Sequence, residues 1–143
     1  MLQEIAPADP TIAAVLRIAD DGWVVTYNDD LDIEFEFNEE TNRLVLSADL
    51  GEPSDDRRLA VYETLMMYST MWRDTGGISM GLIGPQGSMA MMADLTAGET
   101  TADVLAGVLT NFADKARLWR GFVETGGSGQ GETEESLLHT IRV

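Results

Sequence analysis

The sequence contains no cysteine and a single histidine, His139, in 143 residues. The lack of cysteine excludes disulfides, thiolate catalysis and cysteine-ligated zinc, and one histidine argues against a histidine cluster within one chain. No apolar stretch approaches the roughly 18 to 20 residues that cross a bilayer. The N-terminal "MLQEIAPADP" lacks the basic and apolar regions of a signal peptide. We therefore expect a cytoplasmic protein without membrane insertion.

Basic residues are also scarce, because nine Lys and Arg stand against twenty-five Asp and Glu, a net charge of −16. A field of that sign repels nucleic acid phosphates and anionic lipids, so we expect neither as a partner. A basic or neutral partner suits this charge. The carboxylates are spread along the chain, and for most of them a solvated surface is the simplest interpretation.

Motifs for catalysis or cofactor binding are missing as well. There is no GxGxxG after a strand, no P-loop, no HExxH and no GxSxG. The acidic stretch "NDDLDIEFEFNE" resembles a calcium loop, but Ile33 stands where that loop needs glycine. Methionine clusters can bind copper(I), yet this chain offers no cysteine or histidine beside them. We expect no enzymatic activity, no cofactor and no metal.

Apolar spacing predicts an α+β domain with a mostly antiparallel sheet, in the order α-β-β-β-α-β-β-α. After Asp9-Pro10, "TIAAVLRIA" is expected to form a helix, although part of it fits an extended lead into the next strand. Alternation over 23–27, 31–37 and 43–50 predicts an antiparallel meander. A helix over 57–74, a hairpin over 79–95 and a helix from a capping box at Thr100 to about Thr125 complete the domain.

The helix predicted over 57–74 is apolar on nearly all sides, whereas a surface helix of a monomer shows one apolar face. It is therefore either buried within the domain or shared with a second copy of the chain. The hairpin "SMGLIGPQGSMAMMADL" raises a similar alternative. Its register places Met80, Leu82, Met89 and Met91 on one face, where they serve either as core or as an adaptable apolar surface.

The chain is predicted to consist of a domain over residues 1–125 and a flexible glycine-rich tail over residues 126–143. "GGSGQGETEE" has the composition of a linker. The "SLLHTIRV" that follows is too short to fold alone. One hypothesis is that this tail occupies a hydrophobic groove when no partner is bound.

The whole-chain pattern resembles the class I type III secretion chaperones, the Tir-chaperone-like (CesT-like) family. The matching stretches are the strand region "DDGWVVTYNDDLDIEFEF", the helix "LAVYETLMMYSTMW", the methionine hairpin and the last helix "LTNFADKARLWRGFVE". The resemblance implies a cytoplasmic homodimer in a Gram-negative bacterium. It would bind the N-terminal segment of a secreted effector, keep it soluble and secretion-competent, and deliver it to secretion apparatus components. A non-secretory adaptor or regulator of the same fold is the alternative.

The resemblance also implies two sets of site residues. The first set corresponds to the family's dimer-forming helix: Val61, Leu65, Tyr68, Met71 and Trp72. The second set lies in strands that contact the effector: Ile33, Phe35, Leu44, Leu46, Met80, Met89 and Met91. The sequence departs from the family at its start, where Pro7 and Pro10 limit the first helix.

Overall fold

The computed structural model of the chain describes residues 9–73, 77–85 and 87–126. The strands are β1 (Ile12–Ala19), β2 (Gly22–Tyr27), β3 (Asp32–Asn38), β4 (Arg43–Gly51), β5 (Ser79–Ile83) and β6 (Ser88–Thr96), and the helices are α1 (Arg58–Ser69) and α2 (Ala102–Thr125). The six strands form one sheet in the order β1-β2-β3-β4-β6-β5. β1 to β4 pair in sequence as antiparallel neighbours, as do β5 and β6. The predicted α+β class and antiparallel sheet are confirmed.

The first predicted helix is wrong, because "TIAAVLRIA" forms strand β1 and pairs with β2. Its apolar residues fit helical spacing, but the β-branched residues among them favour the extended backbone. Asp9 does not cap a helix either. Its carboxylate accepts a hydrogen bond from the Thr11 N–H at 2.9 Å, which closes a local turn ahead of the strand.

β1 loses register with β2 at two places, between Ile12 and Ala14 and again between Arg17 and Ala19. The Arg17 side chain braces the second irregularity. Its guanidinium donates to the Ala19 carbonyl at 3.1 Å and to the Asp20 carbonyl at 2.6 Å. Such bulges bend a strand and interrupt its hydrogen-bonding ladder.

The three strands predicted as a meander are confirmed, with bounds that differ from the prediction by one residue at most. Cross-strand pairs give each strand an inner and an outer face. Phe35 pairs with Leu46 on the inner face, while Glu34 pairs with Ser47 on the outer face. The inner pair is buried and Glu34 is exposed, as an alternating strand over one core requires.

α1 is shorter than the predicted range of 57–74. It ends at Ser69, after which the backbone tightens into i to i+3 hydrogen bonds, from Thr70 N–H to Met67 O at 3.2 Å and from Met71 N–H to Tyr68 O at 2.9 Å. Met71 and Trp72 therefore lie in a turn beyond the helix.

The second hairpin has the predicted register. Met80 pairs with Met91 and Leu82 with Met89, so all four side chains share one face. On the other face the terminal methyl of Met92 lies 2.8 Å from the point where a Cβ on Gly81 would be. The hairpin therefore packs its methionines on both faces.

The last helix ends as predicted at Thr125, but its cap is one residue later than expected. The Thr101 hydroxyl accepts a hydrogen bond from the Val104 N–H at 3.2 Å, which is the geometry of an N-cap. The Thr100 hydroxyl instead donates to the Thr96 carbonyl at 2.8 Å.

The described residues group into two compact units. The first unit comprises the chain up to Ala48 together with Ala93–Asp114. The second unit comprises Asp49–Met92 together with the residues from Lys115 on. The main buried apolar side chains of the first unit are Val25, Tyr27, Leu31, Ile33, Phe35, Leu46, Leu105, Leu109 and Phe112. Those of the second are Leu50, Val61, Leu65, Tyr68, Ile78, Met89, Met91, Trp119, Phe122 and Val123. The predicted domain boundary at residue 125 stays a prediction, because the tail after Gly126 lies outside the described residues.

Candidate protein-binding surfaces

The meander residues predicted to bind an effector all lie on the inner face of the sheet. Ile33, Phe35, Leu44 and Leu46 are buried among the apolar side chains of the first unit. The structure brings them together, with Ile33 opposite Ala48 and Phe37 opposite Leu44. Within a single chain they form core, and their role as effector contacts stays a prediction.

The methionines predicted for the same role divide between core and surface. Met89 and Met91 are buried, whereas Met80 is half-buried. The Met80 N–H donates to the Ser69 hydroxyl at 3.1 Å, which ties β5 to the end of α1. Of the seven predicted effector-binding residues, Met80 is the one with substantial exposed area.

The residues predicted for the dimer helix are also mostly internal. Val61, Leu65 and Tyr68 are completely buried in the second unit. The Tyr68 ring packs against Trp119 with centroids 4.8 Å apart, and Trp119 packs edge-on against Phe122 at 5.3 Å. This aromatic cluster anchors one side of α1 to α2.

The other side of α1 is open to solvent and carries three large apolar side chains around the exposed Glu63. Leu59 is 79% exposed, Met66 is 66% exposed and Met67 is 53% exposed. Leu59 and Met66 are seven residues apart and so lie on the same side of the helix. Trp72 in the following turn is half exposed and has the Arg73 guanidinium 4.9 Å above its ring. We call Leu59, Met66 and Met67 the α1 patch.

Exposed apolar side chains also occur on both edge strands of the sheet. Leu16 and Ile18 on β1 are more than half exposed, and Leu82 and Ile83 on β5 are about half exposed. An edge strand has backbone N–H and C=O groups without a neighbouring strand, so it can accept an added strand from another chain.

Arg58 holds the start of α1 in place. Its guanidinium donates to Asp55 at 2.8 Å, to Glu52 at 2.9 Å and to the Tyr62 hydroxyl at 2.9 Å. The Tyr62 hydroxyl in turn donates to the Gly87 carbonyl in the second hairpin at 2.7 Å. Hydrogen bonds, with that to Asp55 the largest contribution, raise the pKa of Arg58 above its ordinary value. This cation is a structural brace that fixes the helix carrying the α1 patch.

The described residues show neither a metal cluster nor a membrane-spanning helix. They contain no group of three or more His, Cys, Asp or Glu side chains placed to hold a metal ion. Over the same residues, neither helix combines the length and hydropathy that a membrane span requires.

The sequence model of the Tir chaperone protein (CesT) family matches residues 19–120. The match covers most of the chain, from the end of β1 to the last turns of α2. The chain belongs to the Tir chaperone protein family. Family membership agrees with the expected resemblance and indicates a chaperone and a non-enzymatic role.

Solved structures share the fold of this Tir chaperone family member at low sequence identity. A chain of the ExsC–ExsE complex superposes with a TM-score of 0.64 at 18% identity, covering 76% of this chain and 81% of that one. A chain of the HopA1–SchA chaperone–effector complex gives a TM-score of 0.66 at 13% identity, covering 84% and 90%. An uncharacterized protein from Methanothermobacter thermautotrophicus gives 0.55 at 14% identity, covering 85% and 92%. No curated relative matches the sequence.

Most of the site residues chosen from the sequence are buried in this family member, while Met80 and Trp72 keep exposed area. Alternation in β3 places acidic and apolar side chains on opposite faces, and in a single chain the apolar face becomes core. This alternation was therefore enough to predict that Ile33 and Phe35 are buried. The exposure of Leu59 and Met66 could not be read from α1 alone, because its apolar residues occupy every side of the helix.

Proposed function

We propose that this protein is a cytoplasmic bacterial chaperone that, as a homodimer, binds the N-terminal segment of a type III secreted effector. It keeps that segment soluble and secretion-competent and passes it to components of the secretion apparatus. The observation that carries the proposal is the family match over residues 19–120. The solved complexes named above support it through their shared fold.

The exposed edge of β1 is the best-supported place for the effector segment. It combines backbone groups able to pair with an extended segment and apolar side chains at Leu16 and Ile18. Strand addition at such an edge supplies affinity through main-chain hydrogen bonds and leaves specificity to alternate side chains. Met80 on β5, at the other edge, keeps its expected role as an effector contact.

The α1 patch is the proposed dimer contact. Large apolar side chains exposed on a helix are costly to leave in water, and a two-fold axis would bring two such helices together, with the exposed Glu63 between Leu59 and the two methionines. The interface then involves the exposed side of the helix, next to Met71 and Trp72, while Val61, Leu65 and Tyr68 support it from within.

The dimer is tested by light scattering at micromolar concentration on the unaltered protein and on Met66→Glu. We expect a dimer mass for the unaltered chain and a monomer mass for Met66→Glu, with unchanged circular dichroism. Val104→Glu is the matched control, because Val104 is a half-exposed apolar residue on α2, and it should remain dimeric. A monomeric unaltered protein would refute the dimer, and a dimeric Met66→Glu would refute the α1 patch as its contact.

The effector role is tested by co-expression with any larger protein that a neighbouring gene encodes. We expect a purified complex of two chaperone copies and one effector segment, and deletion of the effector's N-terminal segment should abolish it. Failure to co-purify, with both proteins soluble, would argue against the chaperone role.

The second candidate is a non-secretory adaptor or regulator of the same fold. The fold also occurs in the uncharacterized Methanothermobacter protein, and a shared fold does not by itself determine a function. An isolated gene with no secretion genes nearby, and a partner captured without an N-terminal targeting segment, would support this alternative.

A further inference from the structure

The outer face of the meander carries two cross-strand rows of side chains that lie next to each other. One row runs Leu16, Val24, Glu34 and Ser47, from β1 to β4. The next row runs Gly22, Glu36 and Val45. Because Gly22 has no side chain, the second row has a gap on β2.

The gap belongs to a groove of about 240 Å³, which we call the Gly22 groove. Its lining includes Ile18, Gly22, Glu34, Glu36, Val45 and Ser47. Ile18 stands beside the gap, with its Cγ1 3.4 Å from where a Cβ on Gly22 would be. Small-molecule sites usually exceed about 300 Å³, so a groove of this size suits one protruding side chain better than a whole ligand.

The chemistry of the groove is apolar on two walls and anionic between them. Ile18 is 59% exposed and Val45 is 36% exposed. Glu34 and Glu36 are exposed between these walls. They are two residues apart on one strand, so their Cα atoms are about 6.7 Å apart. In the described part of the chain, no hydrogen bond or ion pair engages either carboxylate.

The two arginines on the strands of the groove, Arg17 on β1 and Arg43 on β4, are engaged elsewhere. The Arg17 guanidinium bonds the Ala19 and Asp20 carbonyls. Arg43, further along β4, pairs with Asp94 at 2.6 Å. A metal ion does not suit the groove, since no group of three metal-ligating side chains occurs among the described residues.

We propose that the Gly22 groove binds an arginine side chain of the polypeptide segment that the chaperone holds. The aliphatic stem of the arginine lies between Ile18 and Val45, and its planar guanidinium donates to both Glu34 and Glu36. A guanidinium presents five N–H donors in a fixed fork and can serve two carboxylates, whereas an ammonium acts as a point charge. The inference rests on the proposed function for the source of the arginine.

The groove can be tested without the effector. We would titrate the ¹⁵N-labelled protein with the peptide acetyl-Ala-Arg-Ala-amide and with its lysine and citrulline counterparts, and follow amide chemical shifts. The arginine peptide should shift the amides of Gly22, Val45 and Ser47 in a saturable way. The citrulline peptide has the same shape without the charge and should not.

Two charge-matched double variants decide whether the groove or the overall charge is responsible. Glu34→Gln with Glu36→Gln should bind the arginine peptide about fivefold more weakly, as expected for the loss of two exposed ion pairs. Asp32→Asn with Glu39→Gln removes two exposed carboxylates outside the groove and should leave binding unchanged. All four side chains are exposed, so both variants should keep the spectrum of the folded protein.

Equal weakening in the two variants, or binding of the citrulline or lysine peptide as tight as that of the arginine peptide, would overturn the proposal. Failure of the titration alongside successful co-purification with an effector would refute the Gly22 groove and leave the chaperone role intact. A saturable titration without co-purification would support the Gly22 groove and argue against the chaperone role.

Discussion

Replacing Leu46 by alanine distinguishes core from binding surface on β4. Leu46 has no exposed area and lies opposite Phe35, whereas its neighbour Val45 is 36% exposed on the other face. Truncating a buried leucine to alanine costs about 3 kcal/mol, because apolar contacts are lost and a cavity remains. Val45→Ala removes partly exposed methyl groups and should cost below about 1 kcal/mol.

Urea unfolding followed by circular dichroism measures the difference. With a slope of about 2 kcal/mol per molar, Leu46→Ala should lower the midpoint by about 1.5 M and Val45→Ala by less than about 0.5 M. Protein concentration is held constant, because the stability of a dimer depends on it. Equal shifts for the two variants would refute the assignment of faces. A Leu46→Ala protein of normal stability that no longer binds its effector would restore Leu46 as a contact residue.

Three further substitutions test local features. Thr101→Ala removes the cap on the Val104 N–H and should lower the unfolding free energy by about 1 kcal/mol, which is about 3 °C in the melting temperature. The exposed mid-helix variant Thr110→Ala is the control and should leave the melting temperature unchanged. An unchanged melting temperature for Thr101→Ala would contradict the cap. Gly126→Ala places a Cβ 2.6 Å from the Arg57 Cγ at a φ of 65° and should cost about 1 to 2 kcal/mol in urea unfolding; a neutral result would mean that this turn relaxes freely. Burial lowers the pKa of Lys115 from 10.5, so the unfolded chain binds more protons between the two pKa values and the unfolding free energy should rise with pH up to 10.5. Lys115→Met should reduce that rise, and identical pH profiles would refute the shift.

Local patterns predicted most of the fold. Strict alternation identified β3 and β4 to within a residue, and the turn between β5 and β6 fixed a register that the structure confirms. β1 was missed because its apolar spacing fits a helix as well as a strand. Pairing with β2 decides that this segment is a strand, and the spacing of apolar residues within the segment does not reveal that pairing.

The candidate site was less predictable for a physical reason. An apolar stripe identifies residues that leave water, but it does not say whether their own chain or another one covers them. Leu65 and Tyr68 are covered by the chain itself, whereas Leu59 and Met66 on the same helix are not. The Gly22 groove was missed because it requires the register of four strands at once.

The two bulges of β1 limit how this edge can be used. Regular pairing with β2 runs only from Ala14 to Arg17. An incoming strand can therefore pair with a regular edge only over these residues, because β1 bends at a bulge on either side of them. A visiting segment must therefore be short and correctly placed to pair there. The same bends work against endless edge-to-edge stacking of identical chains, which matters for a protein whose exposed edge strand is proposed to bind a partner.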